Sequence, residues 1–336
     1  MTPGWDELAA AVTDARALIA AAAPDAATAA EGEAYVTRVM TSALGAAVLG
    51  HLLHQDGLSA PLPCQGGPNP DYLMRHAPVD ESGRYRLEGR LNGSERVGVG
   101  LYSFKEGGGL LERGYAEFDA SNCGADGRFG LDLASDAVGS SSQAIGAGVR
   151  VMLARILHRD PEREPARLRF SGGVPASGLS LATGTNDGAL GFVARSLGNN
   201  VREYLKWTSA VQAHPNRFEP APPHLAETVQ GDPGTQYFLA GFDLAEEEWL
   251  EVTMPADVGG YWSVHAYNHW FEHLQTPGVD DRNARADADG RIRMAIGPNV
   301  HAQHANRIDT LGRRRGSLIC RIIGTGGCPS TDVRRA

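Results

Sequence analysis

The strongest indication of fold and function in this sequence is a stretch of thirteen residues that reads Tyr261-Trp262-Ser263-Val264-His265-Ala266-Tyr267-Asn268-His269-Trp270-Phe271-Glu272-His273. Apolar segments flank it at residues 249–254 and 291–296. Its alternation predicts a strand, because successive side chains of a strand point to opposite faces. One face would carry Trp262, Val264, Ala266 and Asn268, and the other Tyr261, Ser263, His265, Tyr267 and His269. The second face is polar and aromatic, which suits a cleft that binds a ring or a polyol.

Short segments with the same alternation recur at residues 85–90, 97–102, 114–118 and 129–133, separated by glycine- and aspartate-rich turns. Strands return at 237–242 and 316–323. This spacing is typical of an antiparallel sandwich or jelly roll. The sequence therefore predicts a mainly β (α+β) fold, a jelly-roll-like antiparallel β-sandwich with helical additions. No convincing internal repeat is evident, although the two blocks of strands could form the two halves of one sandwich.

The spacing of apolar residues predicts helices in four segments, at residues 5–22, 31–55, 145–156 and 188–213. Prolines and glycines between 61 and 70 predict a linker, which sets a boundary near residue 60. We therefore expect an N-terminal helical segment at 1–60 and a jelly-roll-like domain at 61–330, with a helical insertion at about 137–213. Two helices alone make a poor core, so the first segment is interpreted as an accessory layer or an oligomerisation element.

The composition indicates a globular protein that does not bind nucleic acid. Of 336 residues, 42% are hydrophobic and 21% charged, and the formal net charge is −9. Phosphate affinity comes from a cationic face, so no nucleic-acid partner is expected. The N-terminus lacks a basic leader, no apolar run approaches about 18 residues, and the four cysteines show no paired spacing. We expect a cytoplasmic chain with reduced thiols and no membrane partner.

Motifs along the chain resemble the family known as domain of unknown function 1214. They are Pro68-Asn69-Pro70-Asp71-Tyr72, Gly83-Arg84-Tyr85-Arg86-Leu87-Glu88-Gly89-Arg90, Tyr261-Trp262-Ser263, Asn268-His269-Trp270, and Asn306-Arg307-Ile308-Asp309-Thr310-Leu311-Gly312. The resemblance covers roughly residues 65–325. It implies a jelly-roll-like β domain with helical elements and homo-oligomers among relatives, and it implies no settled reaction. The chain departs from the family at Arg307, where relatives usually have tryptophan. Its N-terminal helices are expected to stand in place of the domain that often precedes this one in longer relatives.

Histidine is the first candidate for chemistry, because its unperturbed pKa lies near neutrality. We predict His265 or His269 as general acid or base. Asp309 would orient a histidine or the substrate, or pair with Arg321. The predicted substrate-binding residues are Tyr261, Trp262, Tyr267, Trp270, Asn306, Arg321, Tyr72 and Tyr102. A metal site would need His265, His269, His301 and His304 to converge. Two histidines four residues apart on a strand are about 13 Å apart, so no metal and no cofactor are expected.

The sequence leaves three functions open. The first is an enzyme that acts on a small, partly apolar organic molecule by histidine acid/base chemistry. The second is a non-catalytic protein that binds a small molecule on the same aromatic face. The third is a structural subunit that uses its N-terminal helices for assembly. A small-molecule ligand and a homo-oligomer are the expected partners, whereas the substrate, the reaction type and the number of subunits are not predicted.

Overall fold

The computed structural model describes residues 3–45, 47, 56–59, 66–104, 110–173, 183–222, 233–300 and 303–335. Most regular elements are β-strands, and helices precede and follow the first block of strands along the chain. The predicted α+β class is therefore confirmed. In chain order the elements are α1 (Pro3–Ala22), α2 (Ala26–Leu44), β1 (Tyr72–Pro78), β2 (Tyr85–Arg90), β3 (Arg96–Phe104), β4 (Leu110–Asp119), β5 (Arg128–Ala134), β6 (Ser142–Ala144), β7 (Val149–Leu157), β8 (Arg167–Gly172), α3 (Thr183–Gln212), β9 (Glu219–Pro220), β10 (Gln236–Asp243), β11 (Glu248–Pro255), β12 (Trp262–Tyr267), β13 (Val279–Asp280), β14 (Arg291–Gly297), β15 (Arg307–Asp309), β16 (Arg315–Ile322) and β17 (Ser330–Arg335).

The chain divides into two compact units. Unit 1 consists of Met1–Ala15, Val36–Cys64 and Pro70–Asn199, and unit 2 of Arg16–Tyr35, Gln65–Asn69 and Asn200–Ala336. Unit 1 contains sheet A, with strand order β1-β7-β3-β4, and sheet B, with order β6-β5-β2-β8. Unit 2 contains sheet C, with order β13-β12-β16-β10-β9, and sheet D, with order β15-β14-β11-β17.

Each unit has an apolar core to which both of its sheets contribute. In unit 1, Leu87 and Leu131 of sheet B pack with Val99 and Met152 of sheet A. In unit 2, the core combines the inward side chains of both sheets, among them Val252, Met294, Val264 and Leu318. Each block of strands therefore builds a two-sheet core of its own. The interpretation of the two blocks as halves of one sandwich is wrong.

The two units repeat the same strand order. Strands β1 to β8 correspond in sequence to β10 to β17, because sheet A (β4-β3-β7-β1) matches sheet C (β13-β12-β16-β10) and sheet B matches sheet D (β15-β14-β11-β17). Among the described strands, each unit has one parallel pair, β5–β6 in unit 1 and β14–β15 in unit 2, and these two pairs also correspond. The repeat is not evident in the sequence, because it preserves the alternation of inward side chains and few residue identities.

The prediction of a helix over residues 145–156 is wrong, because Val149–Leu157 forms β7, which pairs with β1 and β3. Val149 and Met152 both face the core although they are three residues apart. The register against β3 shifts here: Tyr102 pairs with Val151 and Ser103 with Val149, which leaves Arg150 as an extra residue. Such a bulge gives a strand the three-residue spacing of a helix. Within the described part of the predicted insertion, residues 137–173 and 183–213, the helical residues are Thr183–Gln212, which confirms the helix predicted at 188–213.

The predicted N-terminal helices exist, and α2 begins earlier than expected. Asp25 caps α2, because its Oδ1 accepts a hydrogen bond of 2.7 Å from the backbone N–H of Thr28. Residues 48–55 of the predicted second helix lie outside the described residues. Both units contain part of these helices, so the boundary predicted near residue 60 does not match the division into units. No described helix combines the length and apolar character needed to cross a membrane.

Candidate functional site

The polar-aromatic strand predicted from the sequence is present as β12, and every one of its residues is buried. Trp262, Val264 and Ala266 face the core of unit 2, as predicted. The intervening residues Ser263, His265 and Tyr267 lie on the opposite face, which we call the outer face of sheet C. This face is covered rather than open, since the exposed fraction of His265 is 4% and that of Tyr267 is 0%.

Arg321 of β16 stands at the centre of the outer face, with an exposed fraction of 6%. It lies directly opposite Ser263 of β12 and Tyr237 of β10. Its Nη1 donates a hydrogen bond of 2.9 Å to the hydroxyl of Tyr267, and its Nη2 donates to the carbonyl oxygen of Gly67. The guanidinium carbon also lies 5.9 Å from the ring centre of Tyr267 and 6.0 Å from that of Tyr237.

Residues 66–69, which we call the covering segment, supply main-chain oxygens to this cluster. The hydroxyl of Tyr267 donates a 2.8 Å hydrogen bond to the carbonyl of Pro68. Asn69 Nδ2 donates to the hydroxyl of Tyr261 at 2.7 Å, and that hydroxyl shares a 2.7 Å hydrogen bond with Ser263 Oγ. The Pro68-Asn69 motif of the family resemblance thus closes over the polar face of β12.

A second histidine, His273, completes the cluster. Its ring centre is 5.4 Å from that of His265 and 5.7 Å from that of Tyr267, both in edge-to-face arrangement. Its Nδ1 accepts a 3.2 Å hydrogen bond from the backbone N–H of Gln275, so a neutral His273 carries its proton on Nε2. His265 packs against Gly278, where a Cβ atom would lie 2.3 Å from His265 Nδ1. We call the set Asn69, Tyr261, Ser263, His265, Tyr267, His273 and Arg321 the outer-face cluster.

His269 and Trp270 do not join this cluster. The strand ends at Tyr267 because Asn268 reverses the chain: its Oδ1 accepts hydrogen bonds of 3.0 Å from the backbone N–H groups of Trp270 and Glu272. The His269 ring lies 4.8 Å from the Trp270 ring, and burial lowers its pKa. The predicted alternation therefore fails at its last two residues, where a turn replaces the strand.

Trp270 instead contacts the helical part of unit 2. Its ring stacks on Tyr35 of α2 at 6.1 Å, and its Nε1 donates a 3.0 Å hydrogen bond to the carbonyl of Thr28. Gly32 makes this approach possible, because a Cβ there would lie 2.8 Å from the indole. Trp270 thus anchors helix residues rather than lining the outer-face cluster.

Three other predicted residues have structural positions within unit 2. Trp262 lies in the core between sheets C and D. Asn306 joins strand ends, since its Oδ1 accepts from the Arg285 N–H at 2.7 Å and its Nδ2 donates to the carbonyls of Arg285 and Arg293 at 2.8 and 2.9 Å. Asp309 is exposed on β15 and accepts a 2.7 Å hydrogen bond from the N–H of Leu311. These are the turn-forming roles typical of Asn and Asp.

Tyr72 and Tyr102 belong to unit 1. Tyr72 begins β1 opposite Leu157. Tyr102 is fully buried and accepts a 2.7 Å hydrogen bond from Arg155 Nη1. This pair repeats the arrangement of Arg321 and Tyr267, because Arg155 lies opposite Gly98, four residues before Tyr102, as Arg321 lies opposite Ser263, four residues before Tyr267.

The four histidines considered as metal ligands are not brought together by the part of the chain that is described. His304 packs against Trp249 at 5.4 Å between ring centres, in sheet D, whereas His265 lies on sheet C. His301 lies outside the described residues. Among the described side chains, no group of three or more His, Cys, Asp or Glu residues could hold a metal ion.

Of the predicted site residues, the structure brings together Tyr261, His265, Tyr267 and Arg321. Sequence reasoning did not assign Asn69 or His273 to the site. His273 stood within the opening stretch, but strand alternation could not place a residue beyond a turn. Asn69 belongs to a motif of the family resemblance, and only the chain path of the covering segment shows where it lies.

Comparison with known proteins shows a shared fold and no activity. No family model matches the chain, and no curated protein matches it. Among solved structures, an uncharacterized protein from Burkholderia cenocepacia is similar over 99% of this chain and 96% of its own, with 24% identity and a TM-score of 0.87. The VPA0106 protein from Vibrio parahaemolyticus covers 90% of this chain and 97% of its own at 11% identity and a TM-score of 0.49, a likeness too distant to support an argument. The chain therefore shares its fold with a bacterial protein whose activity is not described.

Proposed function

We propose that this chain binds a small, partly apolar organic molecule with an acidic group at the outer-face cluster, and that His265 acts on it as a general acid or base. The observation that carries the proposal is the environment of Arg321. This guanidinium is buried, and within the described residues it donates hydrogen bonds to a phenol and a carbonyl and forms no ion pair. Burying a charge costs several kcal/mol unless it is paired, so the cluster is short of one anion.

The groups around Arg321 are suited to hold that anion. Tyr267, Tyr261 and Ser263 carry hydroxyl groups that can donate to an acid oxygen, and a guanidinium can bind a carboxylate through two parallel hydrogen bonds. The apolar part of the ligand would contact aromatic rings, since Tyr237, Tyr267 and His273 surround the guanidinium and the imidazoles. The carbonyls of Gly67 and Pro68 now accept from Arg321 and Tyr267, as the acid oxygens of a ligand would.

His265 is the residue that we assign to acid/base chemistry. It is the histidine of β12 that faces the same side as Arg321, and in the opposing strand it lies opposite Ile319, two residues from Arg321. An imidazole so close to a bound acid can move a proton at a neighbouring carbon or oxygen of the ligand. His269 and Asp309 are not part of this proposal, because they lie in a turn and on sheet D.

A non-catalytic binding protein is the second candidate. It is favoured by the closure of the cluster under the covering segment, which would retain a ligand once bound. In that case His265 contributes hydrogen bonds and shape, and a glutamine in its place would keep the affinity.

The sequence motifs and the two-sheet cores support two further proposals. We infer from the order of the motifs that the chain belongs to the family of domain of unknown function 1214. We also infer that each unit is a jelly-roll-like antiparallel sandwich, since both sheets of each unit contribute to one core. A homo-oligomer and a cytoplasmic location stay predictions.

The test is a screen of small organic acids against their uncharged amides by the shift in unfolding temperature, since a ligand of the native state raises it. Acids are expected to stabilise the wild-type chain, and amides of the same shape are not. Arg321→Lys and Tyr267→Phe should each weaken the binding of the best acid. Equal stabilisation by amides, or unchanged binding in both variants, would contradict the proposal.

Catalysis is tested on the same acid. His265→Gln is expected to bind it with near wild-type affinity and to form no product. If the wild-type chain binds the acid and converts none of it, the binding function stands and the enzymatic function fails.

A further inference from the structure

We propose that the exposed face of sheet B in unit 1 binds a small molecule with at least two anionic groups, such as a polyphosphate or a polycarboxylate. This face borders a cavity of about 530 Å³, within the size range of small-molecule sites. Five arginines line it, Arg86, Arg90, Arg128, Arg167 and Arg169, together with one carboxylate, Glu88. We call these five residues the arginine face.

Three members of the arginine face lie side by side on adjacent strands. Arg90 of β2 pairs in register with Arg167 of β8 and with Arg128 of β5. Side chains directly opposite each other have Cβ atoms about 4.5–5.5 Å apart, and like charges in such positions destabilise a sheet. The row therefore lowers the stability of the free chain, and a bound anion would remove that cost.

The neighbouring carboxylates neutralise this row incompletely. At its two ends, Arg128 pairs with Asp126 at 3.0 Å and Arg167 with Glu164 at 2.9 Å. Arg90, in the middle, has one hydrogen-bond acceptor among the described residues, the main-chain carbonyl of Asp126 at 3.0 Å. The two ion pairs are largely exposed, and exposed pairs contribute little to stability, so an anion can compete for their guanidinium groups.

The next row of the same face contains one more arginine, Arg169, and a glycine, Gly130, which leaves room for a neighbouring side chain. Glu88 lies opposite Arg169 on one side and opposite Gly130 on the other. Arg169 is exposed and forms no ion pair with any described residue, although Glu88 is its neighbour across the strands. Gly130 lets the Arg86 side chain lie across β5, since a Cβ at residue 130 would be 2.3 Å from Arg86 Nη2.

The fold itself does not require this arrangement. In sheet D, the counterpart of sheet B in unit 2, the cross-strand rows of outward residues read Ser330–Thr253–Arg293 and Asp332–Glu251–Ala295. These rows mix neutral, basic and acidic side chains. The same strand order thus forms without three arginines in a row, so the arginine face has a cause other than folding.

The chemistry of the face selects the ligand. A guanidinium offers a planar pair of donors that matches phosphate and carboxylate oxygens. Two strand spacings of about 4.8 Å separate the outer arginines of the row, so a ligand with two anionic groups can engage the row better than a monoanion. The proposal involves unit 1 alone and does not depend on the outer-face cluster of unit 2.

The experiment is a calorimetric titration of the full chain with inorganic pyrophosphate and, separately, with citrate. We expect one equivalent to bind, with an affinity that falls as salt is added. Arg90→Gln and Arg169→Gln should each weaken binding about tenfold or more, which corresponds to the loss of a charge-assisted hydrogen bond. Without ligand, Arg90→Gln should raise the unfolding temperature, because it removes the central charge of the row.

Arg195→Gln is the matched control, because Arg195 is an exposed arginine of α3 in the same unit and off the arginine face. It should leave the affinity unchanged. The relative affinities for pyrophosphate and citrate show whether phosphate or carboxylate is preferred. The proposal is overturned if neither ion binds, if Arg90→Gln and Arg169→Gln bind as the wild type does, or if Arg195→Gln weakens binding equally. Tighter binding of a single-stranded oligonucleotide than of pyrophosphate would also overturn it in favour of a nucleic-acid surface.

Discussion

Gly67 holds the covering segment against the outer face of sheet C. Its φ of 65° lies in the left-handed region, and its N–H donates a 2.8 Å hydrogen bond to the carbonyl of Phe271. A Cβ at this position would lie 2.4 Å from Ile319 Cδ1. Glycine is therefore needed here for its backbone conformation and also for its lack of a side chain.

We predict that Gly67→Ala destabilises the chain by more than Gly290→Ala. Gly290 has a φ of 74° and open space where its Cβ would be. Alanine there should lower the free energy of unfolding only by the cost of the left-handed backbone conformation, about 1–2 kcal/mol. At Gly67 the contact with Ile319 adds to that cost. Denaturant unfolding of both variants measures the difference, and equal losses would show that the covering segment is not seated on sheet C.

Two histidines, the buried His269 and the half-buried His76, give the chain a predicted dependence on pH. Burial lowers the pKa of His269 in unit 2 and of His76 in unit 1. The unfolded chain takes up these protons as the pH falls through about 6.5, whereas the folded chain does so only at lower pH. The free energy of unfolding should therefore decrease on acidification below about pH 6.5, before most carboxylates titrate.

The check is denaturant unfolding between about pH 8 and about pH 5 for His269→Gln, His76→Gln and the double variant. Each replacement should reduce the loss of stability in that window, and the double variant should reduce it most. The exposed His214, replaced by glutamine, is the control. A slope that is unchanged in the double variant would rule out these histidines as its cause.

At the scale of elements, the sequence predicts best where alternation is undisturbed. β12 follows the predicted faces from Trp262 to Tyr267. Most of the predicted apolar stripes of α1 and α3 are buried, whereas Trp5 and Phe192 are exposed. β7 was mistaken for a helix because a bulge at Arg150 changes the spacing of its core residues. Strand alternation predicts part of the site, namely the residues that lie in or next to regular strands: Tyr261, His265, Tyr267 and Arg321. It does not predict Asn69 and His273, because these two residues reach the cluster through turns.

Trp270 joins a turn of unit 2 to the helix α2, which gives a further prediction. Trp270→Ala should lower the free energy of unfolding by about 3–5 kcal/mol, the usual cost of removing a large buried aromatic side chain. Trp270→Phe should retain much of the stack on Tyr35 and lose the hydrogen bond to Thr28, at a cost of about 1 kcal/mol. Equal effects of the two replacements in denaturant unfolding would contradict a role in stacking.

At the scale of the whole molecule, one strand order serves two different surfaces. Both units place an arginine beside a tyrosine at corresponding positions, Arg321 with Tyr267 and Arg155 with Tyr102. At the position that corresponds to His265, unit 1 has Gly100, so only unit 2 carries an imidazole there. A net charge of −9 gave no hint of the arginine face, because a sum over the chain conceals how charges are paired across strands.

The most direct test of the account is a crystal structure of the protein soaked with the organic acid that raises its unfolding temperature most. The account predicts an acid group within hydrogen-bond distance of Arg321 and Tyr267, with the carbonyls of Gly67 and Pro68 displaced from them. It also predicts that the ligand reaches His265. If the soaked crystals show the acid elsewhere and the two carbonyls still on Arg321 and Tyr267, the cluster is an internal anchor for the covering segment and the proposed function is wrong.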